Sequence, residues 1–168
     1  NDPLLREAWA RAFGNEFGNL AQGDAATNTP GTDTIFVLTH DQIKQIPRDR
    51  TVTYTRIVVD YRAQKTDPNR VRITVGGNLI DYPYELTTRT ADLTTTKVMR
   101  NSVISTENAR YVTADAKNFY LNTPMERHEY MRMAIDLMPD EIIEHYDLRS
   151  KVKNADKSGE MNQLARMR

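Results

Sequence analysis

The chain contains no cysteine, and this absence excludes several kinds of site at once. Disulfides, thiolate zinc sites and cysteine nucleophiles all need a thiol, so none of them can operate here. A chain without disulfides is typical of a reducing compartment. We therefore expect an intracellular protein, and the sequence does not indicate which compartment.

Long hydrophobic runs and a net charge are also missing. Lysine plus arginine and aspartate plus glutamate number 23 each, so the whole chain does not attract nucleic acid electrostatically. No apolar run approaches the roughly 18 residues of a membrane span. Residues 1–6 lack the basic and apolar regions of a signal peptide. The 168 residues, 39% hydrophobic, suffice for one globular domain with a core, or for part of something larger.

The charges are nevertheless unevenly distributed along the chain. Residues 51–72 carry five basic against two acidic residues, whereas residues 101–150 carry five basic against nine acidic ones. A local basic segment is what a phosphate-binding element requires. It is equally typical of a solvated strand face with alternating charge, and composition alone leaves both interpretations open.

Periodicity predicts an α+β fold in five segments. Residues 1–22 form an amphipathic helix, because Asp2-Pro3 is a good helix start and apolar residues recur at spacings of three and four up to Gly23. Residues 23–50 form a loop with a short strand at 34–38. Residues 51–91 contain a β-hairpin whose strands, 52–62 and 70–75, flank a turn at 64–69. Period-two alternation places Arg70 and Arg72 on its exposed face.

The remaining two segments, 92–149 and 150–168, differ strongly in apolar content. Asp92 begins a helix that ends near Ser105, and strands are predicted at 110–114 and 129–135, with a further helix at 139–146. Residues 150–168 form a polar tail that contributes little to a core. The helix residues predicted to face inward are Leu93, Val98, Met99 and Val103.

One motif contains residue types that are typical of a metal-binding catalytic site. In Val112-Thr-Ala-Asp115-Ala-Lys-Asn-Phe-Tyr120, an apolar stretch leads to a carboxylate and an aromatic residue follows five positions later. A carboxylate held at a strand end is well placed to bind a divalent metal ion. By itself, a strand-end aspartate more often caps a turn. His40, His128 and His145 are isolated and show no metal-ligand spacing.

This motif, with its surroundings, resembles the N-terminal fingers and early palm of a copia-type retrotransposon reverse transcriptase, an RNA-directed DNA polymerase. The resemblance covers about residues 5–154 and includes the hairpin, the segment 78–83 and the strand at 129–133. It implies a truncated polymerase fold and two-metal nucleotidyl transfer. By resemblance, Asp115 is a catalytic ligand of Mg²⁺ and Tyr120 lies under the incoming sugar of a dNTP beside a template and primer. The resemblance also implies that Arg72 grips the triphosphate and that Arg70, the basic residue two before it, belongs to the same substrate-binding set.

The chain also departs from that family. The Gly-Leu-Pro-Gln-type motif and the Tyr-x-Asp-Asp turn, which supplies the other metal carboxylates, are both absent from the sequence. We therefore expect Asp115 alone to hold magnesium weakly and the chain alone to be catalytically incomplete, so that enzyme activity stays open.

Two alternatives to an enzyme fragment remain. One is a retroelement-derived scaffold, without catalysis, in which partner proteins of a complex cover the truncated palm. The other is nucleic-acid binding without catalysis, through the basic hairpin with Tyr61, Tyr82 or Tyr84 as stacking platforms.

Overall fold

The structure is a computed structural model that describes residues 2–84, 92–114 and 116–151, together with the backbone of 162–167. It is a mixed α+β protein, as predicted, and its chain divides into two compact units. The first unit comprises residues 1–81 and 120–168, and the second comprises residues 82–119. The first unit contains the sheet and its core.

Helix α1, Pro3–Leu20, confirms the predicted N-terminal helix. It begins as expected, because the Asp2 side chain accepts a hydrogen bond from the Leu4 N–H at 3.0 Å. It ends where the Gly23 N–H donates to the Gly18 carbonyl at 3.0 Å. Gly23 has a φ of +94°, a backbone conformation that glycine adopts without steric cost. Among the described helices, none combines the length and apolar composition that a membrane span requires.

Five strands form one mixed sheet. They are β1, Ile35–Val37; β2, Val52–Tyr61; β3, Asn69–Val75; β4, Glu129–Ala134; and β5, Asn162–Met167. Their order is β1-β5-β4-β2-β3, with β2 and β4 parallel and the other neighbours antiparallel. The predicted hairpin and the predicted strands near 34–38 and 129–135 are confirmed.

Strand β5 was not predicted, because residues 150–168 were assigned to a polar tail. The structure places Asn162–Met167 inside the sheet, where it pairs with β1 on one side and β4 on the other. Backbone hydrogen bonds to two neighbouring strands define this element. A sequence pattern of apolar residues does not report such long-range pairing.

The core lies between one face of the sheet and helices α1, α4 (Asp140–His145) and α5 (Leu148–Lys151). Phe17 is fully buried, and its ring meets Tyr146 edge-on at a centroid distance of 4.9 Å. The short helix α2, His40–Lys44, lies outside this core. The other buried apolar residues include Ala12, Phe13, Ile35, Val71, Met131, Met133, Ile135, Ile142, Ile143 and Leu148.

Helix α1 also protects the outer edge of the sheet. Strand β3 is an edge strand, and the backbone N–H of Ile73 donates to Glu16 Oε1 of α1 at 3.2 Å. An unpaired backbone donor on an edge strand would otherwise be open to pairing with another chain. The hydrogen bond to Glu16 therefore links the edge of the hairpin to helix α1.

The second unit contains helix α3, Leu93–Ser105, whose predicted extent is confirmed. The Asp92 side chain accepts a hydrogen bond from the Thr95 N–H at 2.8 Å, and this bond holds the pKa of Asp92 below its usual value. The predicted inward orientation is wrong for Leu93, Val98 and Met99, which are exposed, whereas Val103 is half-buried. Helix α3 is the one helix or strand that the structure describes in this unit, and residues 110–112 line a groove with it.

The strand predicted at 110–114 is also wrong. These residues form no strand, and Val112 is 82% exposed. A β-branched run becomes a strand only when a neighbour accepts its backbone hydrogen bonds. No such neighbour occurs in the described part of residues 82–119.

Candidate nucleic-acid interface

The outer face of the hairpin is the candidate site. In the antiparallel register, Arg56 lies opposite Thr74, and Arg72 lies opposite Val58. Residues opposite each other in a sheet point to the same side, and so do residues two apart on one strand. Arg56, Arg70 and Arg72 therefore share the face that is turned away from the core. The predicted alignment of Arg70 and Arg72 is observed.

No described acid forms an ion pair with Arg70 or Arg72 on this face. Arg72 is exposed and Arg70 is half-buried, and neither side chain makes a hydrogen bond or ion pair with a described residue. Asp60, opposite Arg70 in the register, instead pairs with Arg62 at 3.0 Å. The face consequently offers guanidinium groups whose donors are available to phosphate oxygens.

A tyrosine extends the arginine row. The Arg56 guanidinium lies 5.2 Å from the centroid of the Tyr54 ring and donates to the Tyr54 hydroxyl at 3.1 Å. Gly76 lies beside that ring, and a Cβ added at Gly76 would lie 3.1 Å from Tyr54 Cε1 and 2.7 Å from Thr53 Oγ1. Tyr54 thus occupies space that only a glycine at position 76 leaves open.

Arg132 belongs to the same face, although its sequence position was not predicted to be part of the site. Strands β2 and β4 are parallel, with Tyr54 opposite Arg132, so both side chains point away from the core. Arg132 is exposed, whereas Met131 and Met133 on either side of it are buried. This period-two alternation within the predicted strand was the signal that could have identified Arg132.

Asp115, the predicted catalytic residue, lies outside the described residues. The described part of the chain contains no group of three or more histidine, cysteine, aspartate or glutamate side chains that could hold a metal ion. A role for Asp115 in binding Mg²⁺ stays a prediction.

Tyr120 is exposed and lies far from the arginines. The Leu121 carbonyl, next in the chain, accepts a hydrogen bond at 3.2 Å from Thr34, which immediately precedes β1. Strands β1 and β3 are opposite edges of the sheet, four strand spacings apart. At about 4.8 Å per spacing, this is roughly 19 Å. Tyr120 and Arg72 are not neighbours, so a shared role at one nucleotide stays a prediction.

Comparisons with protein-family models, curated proteins and solved structures give no match to this chain. The family resemblance therefore depends on the motifs in the sequence. The arginine face depends on the geometry of the sheet, which is independent of that resemblance.

Proposed function

We propose that this chain is a fragment of a copia-type reverse transcriptase that binds the phosphates of a nucleic acid and does not polymerise by itself. The observation that carries this proposal is the exposed row of arginines on the hairpin, with no described acid paired to Arg70 or Arg72. A guanidinium fork meets phosphate oxygens in pairs, which makes arginine suitable for this task. The order of the sequence motifs supports the polymerase origin.

The chain is expected not to polymerise because it supplies too few carboxylates to hold two metal ions. Two-metal transfer needs several carboxylates around the ions, and the sequence offers Asp115 without the Tyr-x-Asp-Asp turn. Any Mg²⁺ would be supplied with the nucleotide and held in part by Asp115. Binding through phosphates requires none of these groups, so it can persist without catalysis.

Fluorescence anisotropy with a labelled RNA–DNA duplex tests the binding. The double variant Arg70→Ala/Arg72→Ala should lower the slope of log affinity against log salt by about two units. The matched control is Arg6→Ala/Arg149→Ala, which removes two exposed arginines already paired with Asp140. An equal change of slope in both double variants would refute a specific role for the hairpin.

A primer-extension assay with Mg²⁺ tests the second half of the proposal. The chain alone should give no extended primer. Extension by the wild-type chain that disappears in Asp115→Asn would show that this polypeptide is an active polymerase, and the proposed lack of catalysis would then be wrong.

We propose as a second candidate a retroelement-derived scaffold subunit, because α3 exposes large apolar side chains. Leu93 and Ile104 are 68% and 82% exposed, and such residues often mark protein interfaces. The test is the composition of the native complex. Unrelated proteins in fixed proportion, without nucleic acid, would favour the scaffold. Bound nucleic acid, measured by the ratio of absorbance at 260 and 280 nm, would favour the polymerase fragment.

A further inference from the structure

The unit 82–119 carries an apolar groove of about 580 Å³ between α3 and the segment after it. Val98 on one wall and Val112 on the other are 63% and 82% exposed. Covering apolar surface yields about 25 cal/mol per Å², so a groove of this composition favours an occupant. It is lined by Val98, Met99, Ser102, Val103, Arg110, Tyr111 and Val112.

Two arginines determine which occupant fits. Arg110 lines the groove, and the Arg100 guanidinium lies 5.7 Å from the centroid of the Tyr111 ring in its wall. Neither arginine forms an ion pair with a carboxylate in the part of the chain that the structure describes. A surface that combines an apolar side chain with carboxylates therefore complements this groove in both polarity and charge.

The chain itself carries such a surface in its first unit. Leu137 is 65% exposed, and Glu141 and Glu144 follow it on the exposed side of α4. Neither glutamate pairs with a described cation, in contrast to Asp140, which binds Arg6 and Arg149. Residues three apart on a helix are neighbours, so the two carboxylates form one acidic patch, and Leu137 precedes it by four residues in the chain.

We propose that the groove of one copy binds Leu137, Glu141 and Glu144 of a second copy. Leu137 covers the apolar wall, while the two glutamates pair with Arg100 and Arg110. The two surfaces differ, so a single contact between two copies propagates head to tail, whereas two reciprocal contacts close a dimer. This inference does not depend on nucleic-acid binding, because none of these residues belongs to the hairpin.

Sedimentation velocity over a wide range of protein concentrations tests the contact. At low salt the average mass should rise with concentration, and it should fall when salt screens the ion pairs. The variant Arg100→Glu/Arg110→Glu should weaken association at least about tenfold, because like charges then face each other. Lys97→Glu reverses a charge on the same helix without lining the groove, and it should leave association unchanged.

A charge-swap mixture provides the decisive control. Glu141→Arg/Glu144→Arg should weaken association to a similar extent, yet mixing it with Arg100→Glu/Arg110→Glu should restore assembly, since each contact then pairs opposite charges. Circular dichroism verifies that all variants fold. A wild-type chain that keeps the mass of one copy at every concentration would overturn the proposal. So would a mixture that fails to assemble, or groove variants that weaken only oligonucleotide binding.

Discussion

Arg127 donates from Nε to the carboxylate of Glu129 at 2.6 Å, and the Glu129 side chain is only 2% exposed. Arg127 also donates to the Asp81 carbonyl, and Arg50 approaches the same carboxylate at 3.8 Å. Asp81 precedes the 82–119 unit in the chain and Arg127 follows it. This network therefore joins two distant segments of the first unit at the start of β4.

Replacing Glu129 with Gln should destabilise the first unit. The substitution leaves two partly buried guanidinium groups without their carboxylate, and breaking a buried pair in this way costs about 3 kcal/mol. Urea unfolding monitored by circular dichroism measures the change. Asp41→Asn, which breaks the exposed pair with Lys44, is the control and should leave the unfolding midpoint unchanged. A stable Glu129→Gln variant would show that the arginines are satisfied by water.

Gly76 and Gly77 should respond differently to alanine. A Cβ at Gly76 would lie 2.7 Å from Thr53 Oγ1, whereas one at Gly77 would meet nothing within 4 Å. Overpacking of this kind costs about 1–3 kcal/mol, so Gly76→Ala should lower the free energy of unfolding. Gly77→Ala is the matched control and should be close to neutral. Equal stability of both variants would mean that Tyr54 and Thr53 move aside without cost.

Tyr146 should make stability depend on alkaline pH. Burial, assisted by the charge of Asp24, raises the pKa of Tyr146 to about 12 from an ordinary value of 10.0. As the pH rises, Tyr146 therefore ionises in the unfolded chain before it ionises in the folded chain. Its contribution to the free energy of unfolding is complete below pH 10 and is lost as the pH rises toward 12. Denaturant unfolding across this window should show a steeper decline for the wild-type chain than for Tyr146→Phe. Identical slopes would contradict the raised pKa.

Arg132 should contribute to nucleic-acid binding although it lies outside the hairpin. Its position opposite Tyr54 extends the arginine face onto β4. Arg132→Ala should therefore lower the salt slope of duplex binding by about one unit. If the slope does not change while Arg70→Ala/Arg72→Ala lowers it, the phosphate contacts are confined to the hairpin.

Local patterns predicted most elements of this protein. The Asp2-Pro3 helix start, the Asp92 cap and the alternation in 70–75 each depend on residues close together in sequence, and each is observed. The wrong predictions concern elements that need packing or pairing partners from distant parts of the sequence. Val112 has the composition of a strand residue but no neighbouring strand in the described part of its unit, and α3 has no buried residue.

The candidate site shows the same distinction between features set by nearby residues and features set by distant ones. The sequence by itself determined that Arg70 and Arg72 share a face, because side chains alternate along any strand. Only the tertiary structure decided that Arg132 joins them and that Tyr120 lies near the opposite edge of the sheet. The order of strands is set by pairing between residues far apart in the chain, and hydrophobic periodicity carries no information about that order.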